Sequence, residues 1–199
     1  MRTQIRIVAG LLRGRKLSCT VNPNLRPTPQ MVREALFSIL GNAVPDRPFL
    51  DVFAGTGVVG LEALSRGAKS VFFIERDVRL IAELDHHIAQ FGVASGARIV
   101  RGDVYRWVER WLPPPEPVNV FLSPPFADLE RRTDDLLGLV AGLQKQVRPG
   151  SVLVLQSETH VPLDPLPAAE QWDRRRYGRN ELLIWVKEDG GQPEPPADG

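Results

Sequence analysis

Apolar residues along this chain fall into short runs separated by polar and turn-forming stretches, and the runs predict alternating strands and helices. Phe49 to Ala54, Val71 to Ile74, Arg98 to Val100, Val118 to Leu122, Val152 to Leu155 and Leu182 to Val186 are short and β-prone, as expected of strands buried in a sheet. Between them lie helical stretches: Pro29 to Leu40, a segment opening at Leu61-Glu-Ala-Leu64, one capped by Asp77 and running to about Phe91, and Leu129 to Gln146. The start, Ile5 to Ser18, reads as β-rich and basic; a loop through Arg26-Pro-Thr28 follows, and Pro113-Pro-Pro115 is a rigid connection. No internal repeat is found. Strand–helix alternation predicts an α/β fold, an open and mostly parallel sheet with helices on both faces, in which ligands bind outside the carboxyl ends of the strands.

The first of these strand ends carries the sharpest chemical signal. Asp51-Val-Phe-Ala-Gly55-Thr-Gly57-Val-Val-Gly60 is a strand, a tight glycine turn and a helix start. Such a turn lets the backbone approach a ligand, and the free N–H groups of a helix N-terminus can serve its polar end. The next strand ends in Glu75, a carboxylate suited to two ribose hydroxyls. Gly55-Thr-Gly57-Val-Val-Gly60 satisfies G-x-G-x-x-G, and Glu75 lies 20 residues beyond Gly55, so a nicotinamide dinucleotide fits as well as S-adenosylmethionine. Asp51 favours the methyl donor: a carboxylate before the turn is an awkward neighbour for a pyrophosphate and a reasonable partner for a cationic methionine end.

The fourth strand runs into Ser123-Pro-Pro-Phe126. Two prolines fix the backbone direction and let the Pro124 carbonyl point into a cleft beside the Ser123 hydroxyl, with Phe126 placed to stack. An acceptor pair beside an aromatic face suits an unstacked nucleobase with an exocyclic amine. Taken alone, the same residues also describe a proline-terminated strand with a core phenylalanine.

Length and charge narrow the class. The 199 residues suffice for one sizeable core. The single Cys19 excludes an internal disulfide and a cysteine-based zinc site, and His86, His87 and His160 form no metal-ligand pattern, so no metal is expected. There is no signal-peptide pattern and no apolar run near the length of a membrane span, which predicts a soluble cytoplasmic protein without membrane contact. The net charge of +1 hides an asymmetry: residues 1–33 hold Arg2, Arg6, Arg13, Arg15, Lys16, Arg26 and Arg33 and no acid. A basic arm beside a nucleobase pocket fits RNA phosphate contacts. The tail after Lys187, acidic and rich in Gly and Pro, is expected to be disordered. The expected division is a basic N-terminal extension over 1–48, a core over 49–187 and a tail over 188–199.

Gly10, Arg13-Gly-Arg-Lys-Leu17, Leu25-Arg-Pro-Thr28, Val32-Arg-Glu34, Phe37, Asp51 to Gly57, Gly60-Leu-Glu-Ala-Leu-Ser-Arg-Gly-Ala68 and Glu75 together resemble the RsmD-type 16S rRNA guanine-N2 methyltransferases, over about Ile5 to Val186. The resemblance implies a Rossmann-like S-adenosylmethionine-dependent methyltransferase fold and methylation of N2 of one guanine of small-subunit rRNA, of the guanine 966 type. It implies a monomer acting on 16S rRNA or a small-subunit particle. It places the cofactor on Thr28, Asp51, Phe53, Ala54, Gly55, Thr56, Gly57, Glu75, Arg76, Asp103 and Val104, with the Asp103 carboxylate taking the adenine amine. It places catalysis on Ser123, Pro124, Pro125 and Phe126, and RNA on Arg13, Arg15, Lys16, Arg26 and Arg33. The chain departs from the family at Ser123, where Asp or Asn is usual. A neutral, shorter acceptor holds an amine less strongly, so a methyltransferase-like RNA-binding protein stands as an alternative, beside an NAD(P)-dependent oxidoreductase built on the same glycines.

Overall fold

The computed structural model describes residues 2–20, 27–158 and 166–189. Its centre is a seven-stranded sheet built from β3 (Pro48–Val52), β4 (Ser70–Glu75), β5 (Ala97–Arg101), β6 (Asn119–Leu122), β7 (Val152–Glu158), β8 (Asp173–Tyr177) and β9 (Asn180–Val186), in the order β5-β4-β3-β6-β7-β9-β8. The strands β3 to β7 are mutually parallel, whereas β9 runs antiparallel to β7 and β8 antiparallel to β9. Every residue of β3 and of β6 is buried, which accounts for their largely apolar sequences, interrupted only by the buried Asp51 in β3 and Asn119 in β6. The chain leaves β3 in one direction toward β4 and β5, then crosses back to β6 on the other side of β3, so the carboxyl ends of β3 and β6 flank a topological switch point.

Two apolar layers enclose the sheet. On one face α1 (Gln30–Leu40), α2 (Val58–Ser65) and α3 (Val78–Phe91) pack through Leu36, Phe37, Leu61 and Leu84 onto Phe49, Phe73 and Phe121. On the other, α4 (Val104–Trp107), α5 (Phe126–Arg131) and α6 (Thr133–Gln146) bring Val104, Leu129, Leu136 and Leu143 against Leu50, Val120 and Leu153. Asp77 caps α3 through Arg79 N, as its sequence position predicts, and Gly92 closes that helix at φ 71°.

A separate two-stranded ribbon, β1 (Arg2–Arg6) with β2 (Lys16–Thr20), lies over the first face. It is pinned by backbone and side chain alike: Ser65 O accepts from Leu11 N and its Oγ from Leu12 N, His87 Nε2 meets Ser18 O at 3.1 Å, and Glu83 accepts from Thr20. His87 is therefore a buried packing residue rather than a solvent-facing one.

One local expectation needs revision. The predicted helix Leu129 to Gln146 is two helices, α5 and α6, because Arg132 at φ −130° and ψ 34° leaves the helical region. The strand β8, for which the sequence pattern gives no expectation, is arginine-rich and carries no apolar alternation; it forms because the Gly178 turn, φ 62°, folds it onto β9 as an edge strand. Among the described residues no helix is long and apolar enough to cross a membrane. His160 and the tail 190–199 lie outside the described residues.

Candidate active site

A cleft of about 640 Å³ opens at the carboxyl ends of β3, β4, β5 and β6, within the usual range for small-molecule sites. Each residue expected to hold cofactor or base lines it except Gly57, which lies behind the glycine turn.

The turn is built by strain and close packing. Phe53, directly after β3, has φ 66°, a left-handed conformation unusual for a non-glycine residue, followed by Gly55 at φ 55° and Gly57 at φ 72°. Backbone strain of this kind persists where the surroundings over-determine it, and it concentrates at functional sites. Ala54 N donates to Ile74 O and Gly57 N to Ala54 O at 2.7 Å, closing the turn at the head of α2. Two of the glycines serve packing: a Cβ at Gly57 would lie 2.3 Å from the Leu84 side chain and one at Gly60 2.2 Å from the Phe73 ring. Only the first glycine of the motif, Gly55, both turns the chain and lines the cleft.

The acids of the cleft are tied to the backbone. Asp51, 1 % exposed, accepts from Gly60 N at 2.8 Å, joining the end of β3 to α2. Burial pushes its carboxyl up to about 7, against the pull of the Gly60 N–H and with a further push from Glu75. Glu75 accepts from Gly55 N, Arg76 N and Asp77 N at 2.8–2.9 Å, so one carboxylate clamps the glycine turn to the turn after β4. Three accepted bonds leave one lone-pair site, on the oxygen that takes Gly55 N, for a ligand hydroxyl. Asp103 caps α4 through Tyr105 N and meets Arg132 at 3.3 Å. Burial works to raise its pKa, but the hydrogen bonds from Arg132 and from the Tyr105 amide outweigh it and hold the carboxyl below its ordinary value.

Phe53, expected at the cofactor, is joined in an aromatic wall by Tyr105, which was not foreseen. The Phe53 and Tyr105 rings meet edge-on at 5.8 Å, Tyr105 Oη donates to Asp128 Oδ2 at 2.8 Å, and the Arg132 guanidinium lies 3.9 Å over the Tyr105 ring. Burial, then Asp128, raise the Tyr105 pKa, so the phenol stays protonated as a donor. Tyr105 follows the Asp103 cap by two residues and Asp128 follows Phe126 by two, but nothing in the local sequence announces that they meet.

Across the switch point Ser123 N reaches Val52 O at 3.4 Å, which seats Ser123 beside the strained Phe53. Pro125 precedes the first residue of α5, and its carbonyl takes the Asp128 and Leu129 amides, leaving the buried Pro124 at the rim of the cleft. Phe126 is 37 % exposed on that rim. The far wall is a hydrogen-bonded relay in which Thr28 Oγ1 donates to Gln156 Oε1 and Gln156 Nε2 donates to Asn180 Oδ1. Thr28, expected on the cofactor, thus stands on the wall shared with the β8–β9 hairpin.

The basic arm is only partly as expected. Arg13, Arg15 and Lys16 are exposed on the ribbon and line no part of the cleft; Arg13 borders a smaller hollow with Gln30 and Glu34. Arg26 lies outside the described residues. Arg33 does not face RNA at all. It is 2 % exposed, paired to the fully buried Glu62 at 3.0 Å, and donates to Thr28 O and Arg6 O, so it ties α1 to α2, to β1 and to the cleft wall.

Comparison with known proteins agrees with this geometry. The family described as Conserved hypothetical protein 95 matches residues 5–186. Ribosomal RNA small subunit methyltransferase D of Escherichia coli (strain K12) is 36 % identical over 193 residues, covering 96 % of this chain and 94 % of its own. The solved putative methyltransferase yhhF from Escherichia coli superposes with a TM-score of 0.77 at 30 % identity, over 94 % of this chain and 99 % of its own. An RNA methyltransferase from Salinibacter ruber, solved in complex with S-adenosyl-L-homocysteine, has a TM-score of 0.54 at 18 % identity over 85 % of this chain and 98 % of its own, a likeness of fold alone.

Proposed function

We propose, from the premise that the chain belongs to the ribosomal RNA small subunit methyltransferase D family, that its cleft transfers a methyl group from S-adenosylmethionine to the exocyclic N2 of a guanine in small-subunit rRNA. The observation that carries this reading is the opposition, across one switch point, of the glycine turn after β3 and the Ser123-Pro-Pro-Phe126 turn after β6. Membership of a methyltransferase family sets aside the oxidoreductase that the glycines alone would allow.

The residues present fit the cofactor in its three chemical parts. The Asp51 carboxyl suits a cationic amino group, Glu75 suits a ribose hydroxyl, and Asp103, Val104 and the Phe53–Tyr105 wall suit an adenine. Bound there, S-adenosylmethionine supplies an electrophilic methyl group on a sulfonium. The guanine amine is a poor nucleophile because its lone pair is delocalised into the ring. Hydrogen bonds from it to Ser123 Oγ and the Pro124 carbonyl localise that lone pair, and Phe126 stacks on the base to hold it in line. Neither acceptor is a strong base, so the amine would attack as the neutral group. As the N–C bond forms the S–C bond breaks with its electron pair left on sulfur, S-adenosylhomocysteine being the leaving group, and the methylated amine then releases its proton to water in the open cleft. No covalent enzyme intermediate is needed.

The deciding experiment is transfer of a tritiated methyl group to small ribosomal subunits from a strain lacking this protein, followed by mapping of the modified nucleotide. A label on N2 of one guanine is expected, with the guanine 966 type as the position to examine first. No label on rRNA, with RNA binding intact, would instead support the methyltransferase-like binder in which Ser123 has weakened the acceptor pair.

A further inference from the structure

The strongest charge feature outside the ribbon was not predicted from sequence. Strand β8 is Asp173-Arg-Arg-Arg-Tyr177, and its four charged residues are all exposed. Among the described residues it forms the outer edge of the sheet, paired with β9. Residue pairs across the ladder share a face: Arg175 stands opposite Leu182, on the side of α1, whereas Arg176 stands opposite Glu181, on the side of α6. The turn that follows brings Arg179 to the wall of the cleft, beside Asn180 and Gln156.

Direction matters as much as composition. β8 runs parallel to β7, so its last residues and the hairpin tip lie at the carboxyl edge of the sheet, where the cleft opens. At about 3.3 Å per residue, Arg174 to Arg176 span about 7 Å of the edge below that rim, with Arg175 on one face and Arg174 and Arg176 on the other. The tip also meets α1: a Cβ at Gly178 would come within 3.9 Å of Met31, while Gln30 and Glu34 on the same first turns border the hollow lined by Arg13. Two basic hairpins therefore flank the start of α1, whose preceding Pro29 and Thr28 line the cleft.

An exposed edge strand needs charge to prevent edge-to-edge association, but that need is met by either sign. Here the charges point to one partner. Over residues 173–181 four arginines stand against Asp173 and the buried Glu181. Among the described residues Arg175 pairs with Asp173 at 2.8 Å and Arg176 with Glu181 at 3.6 Å. The Arg175 pair is exposed on both sides and holds weakly, whereas the Arg176 pair is long and joins an exposed guanidinium to a buried carboxylate; a guanidinium fork matches a phosphate bidentately.

We propose that the β8–β9 hairpin is a second RNA-binding arm, in which Arg175, Arg176 and Arg179 contact the phosphates of the strand that leads into the cleft. The assignment rests on the rRNA methyltransferase reading for its occupant, but the test does not depend on catalysis. The full chain and the variant Arg175→Gln/Arg176→Gln/Arg179→Gln are titrated with a fluorescein-labelled single-stranded RNA oligonucleotide across a salt series, and methyl transfer to small ribosomal subunits is followed in parallel.

Each phosphate contact on single-stranded RNA contributes about 0.7 to the slope of log K against log salt, so the triple variant should bind with a slope shallower by roughly 2. The corresponding Lys variant should keep the slope, and cofactor affinity should not change. A wild-type slope in the Gln variant overturns the proposal, and if wild type still methylates rRNA, the catalytic reading stands without it. Wild type that methylates nothing but loses its slope in the variant keeps the arm and removes the reading. Should the Gln variant self-associate on ultracentrifugation, Arg179→Gln, which lies in the turn outside the paired edge, decides alone: a slope lower by about 0.7 supports the arm, and an unchanged slope leaves β8 as edge protection only.

Discussion

Asp51 shows how far a single residue can be constrained by its surroundings. An ordinary aspartate releases its proton near 3.8, but this buried one holds it to about 7. Between those values the unfolded chain is ionised while the folded chain keeps the proton, so stability falls as pH rises through the window, and the penalty is complete above about 7. Asp51→Asn keeps an acceptor for Gly60 N without the ionisation. Its advantage over wild type in unfolding free energy, read from urea titrations, should grow by up to about 1.4 kcal/mol per unit from pH 4 to 7 and then level off; a pH-independent difference would mean that Asp51 is already ionised in the fold. Arg33 gives the opposite case, a cation turned inward. Arg33→Ala leaves Glu62 with only Arg66 and should cost about 3 kcal/mol, while the salt slope of RNA binding stays at the wild-type value, as it would not for a phosphate contact. At Ser123, single-turnover rates at saturating cofactor separate binding from chemistry. Ser123→Asn and Ser123→Asp should retain or raise transfer, whereas Phe126→Ala should lower it by about 1–3 kcal/mol of stacking. Indifference in all three would make the turn a strand terminus only.

Among the elements, those that carry their own apolar run or cap were legible from their residues. β3, β4 and β6 announced themselves as buried runs, and α3 by its Asp77 cap, because local pattern and tertiary environment agree there. β8 escaped because pairing with β9 creates it, and the α5–α6 break escaped because Arg132 is held out of the helix by Asp103 and Asp135, which no local propensity encodes. Arg33 was misread for a related reason: a positive run looks like a solvated surface until the carboxylate 29 residues away is in place. The ribbon depends on the same kind of distant contact. At Gly10, φ 81°, a Cβ would fall 1.8 Å from the Ser65 carbonyl oxygen that receives Leu11 N. Gly10→Ala should therefore loosen β1–β2 from α2, raising hydrogen exchange over residues 2–20 while the amides of β3 and β4 stay protected. Uniform protection throughout would mean that the ribbon is held by its other contacts alone.

For the molecule as a whole, the cleft is the place where separate elements are joined by ligand-facing groups rather than by apolar packing. The clamp of Glu75 links the turns after β3 and β4, Asp103 and Arg132 link the end of β5 to the α5–α6 corner, and Thr28, Gln156 and Asn180 link α1 to the far strands. The glycines and acids of this arrangement were legible because their chemistry is written in adjacent residues, whereas Tyr105, Asp128 and Arg132 act across 23 to 29 positions and become visible only in the fold. A cofactor that touches the first two linkages at once binds the native state and not the unfolded chain. At one hundred times its dissociation constant such a ligand adds about 2.7 kcal/mol, and in a chain of this size each kcal/mol moves the melting temperature by about 2–4 °C. S-adenosylhomocysteine should thus raise the melting temperature by roughly 5–10 °C, NAD should leave it unchanged, and Glu75→Ala should remove most of the rise. A shift with NAD instead, or none with either ligand, would detach the glycine turn from the cofactor assigned to it.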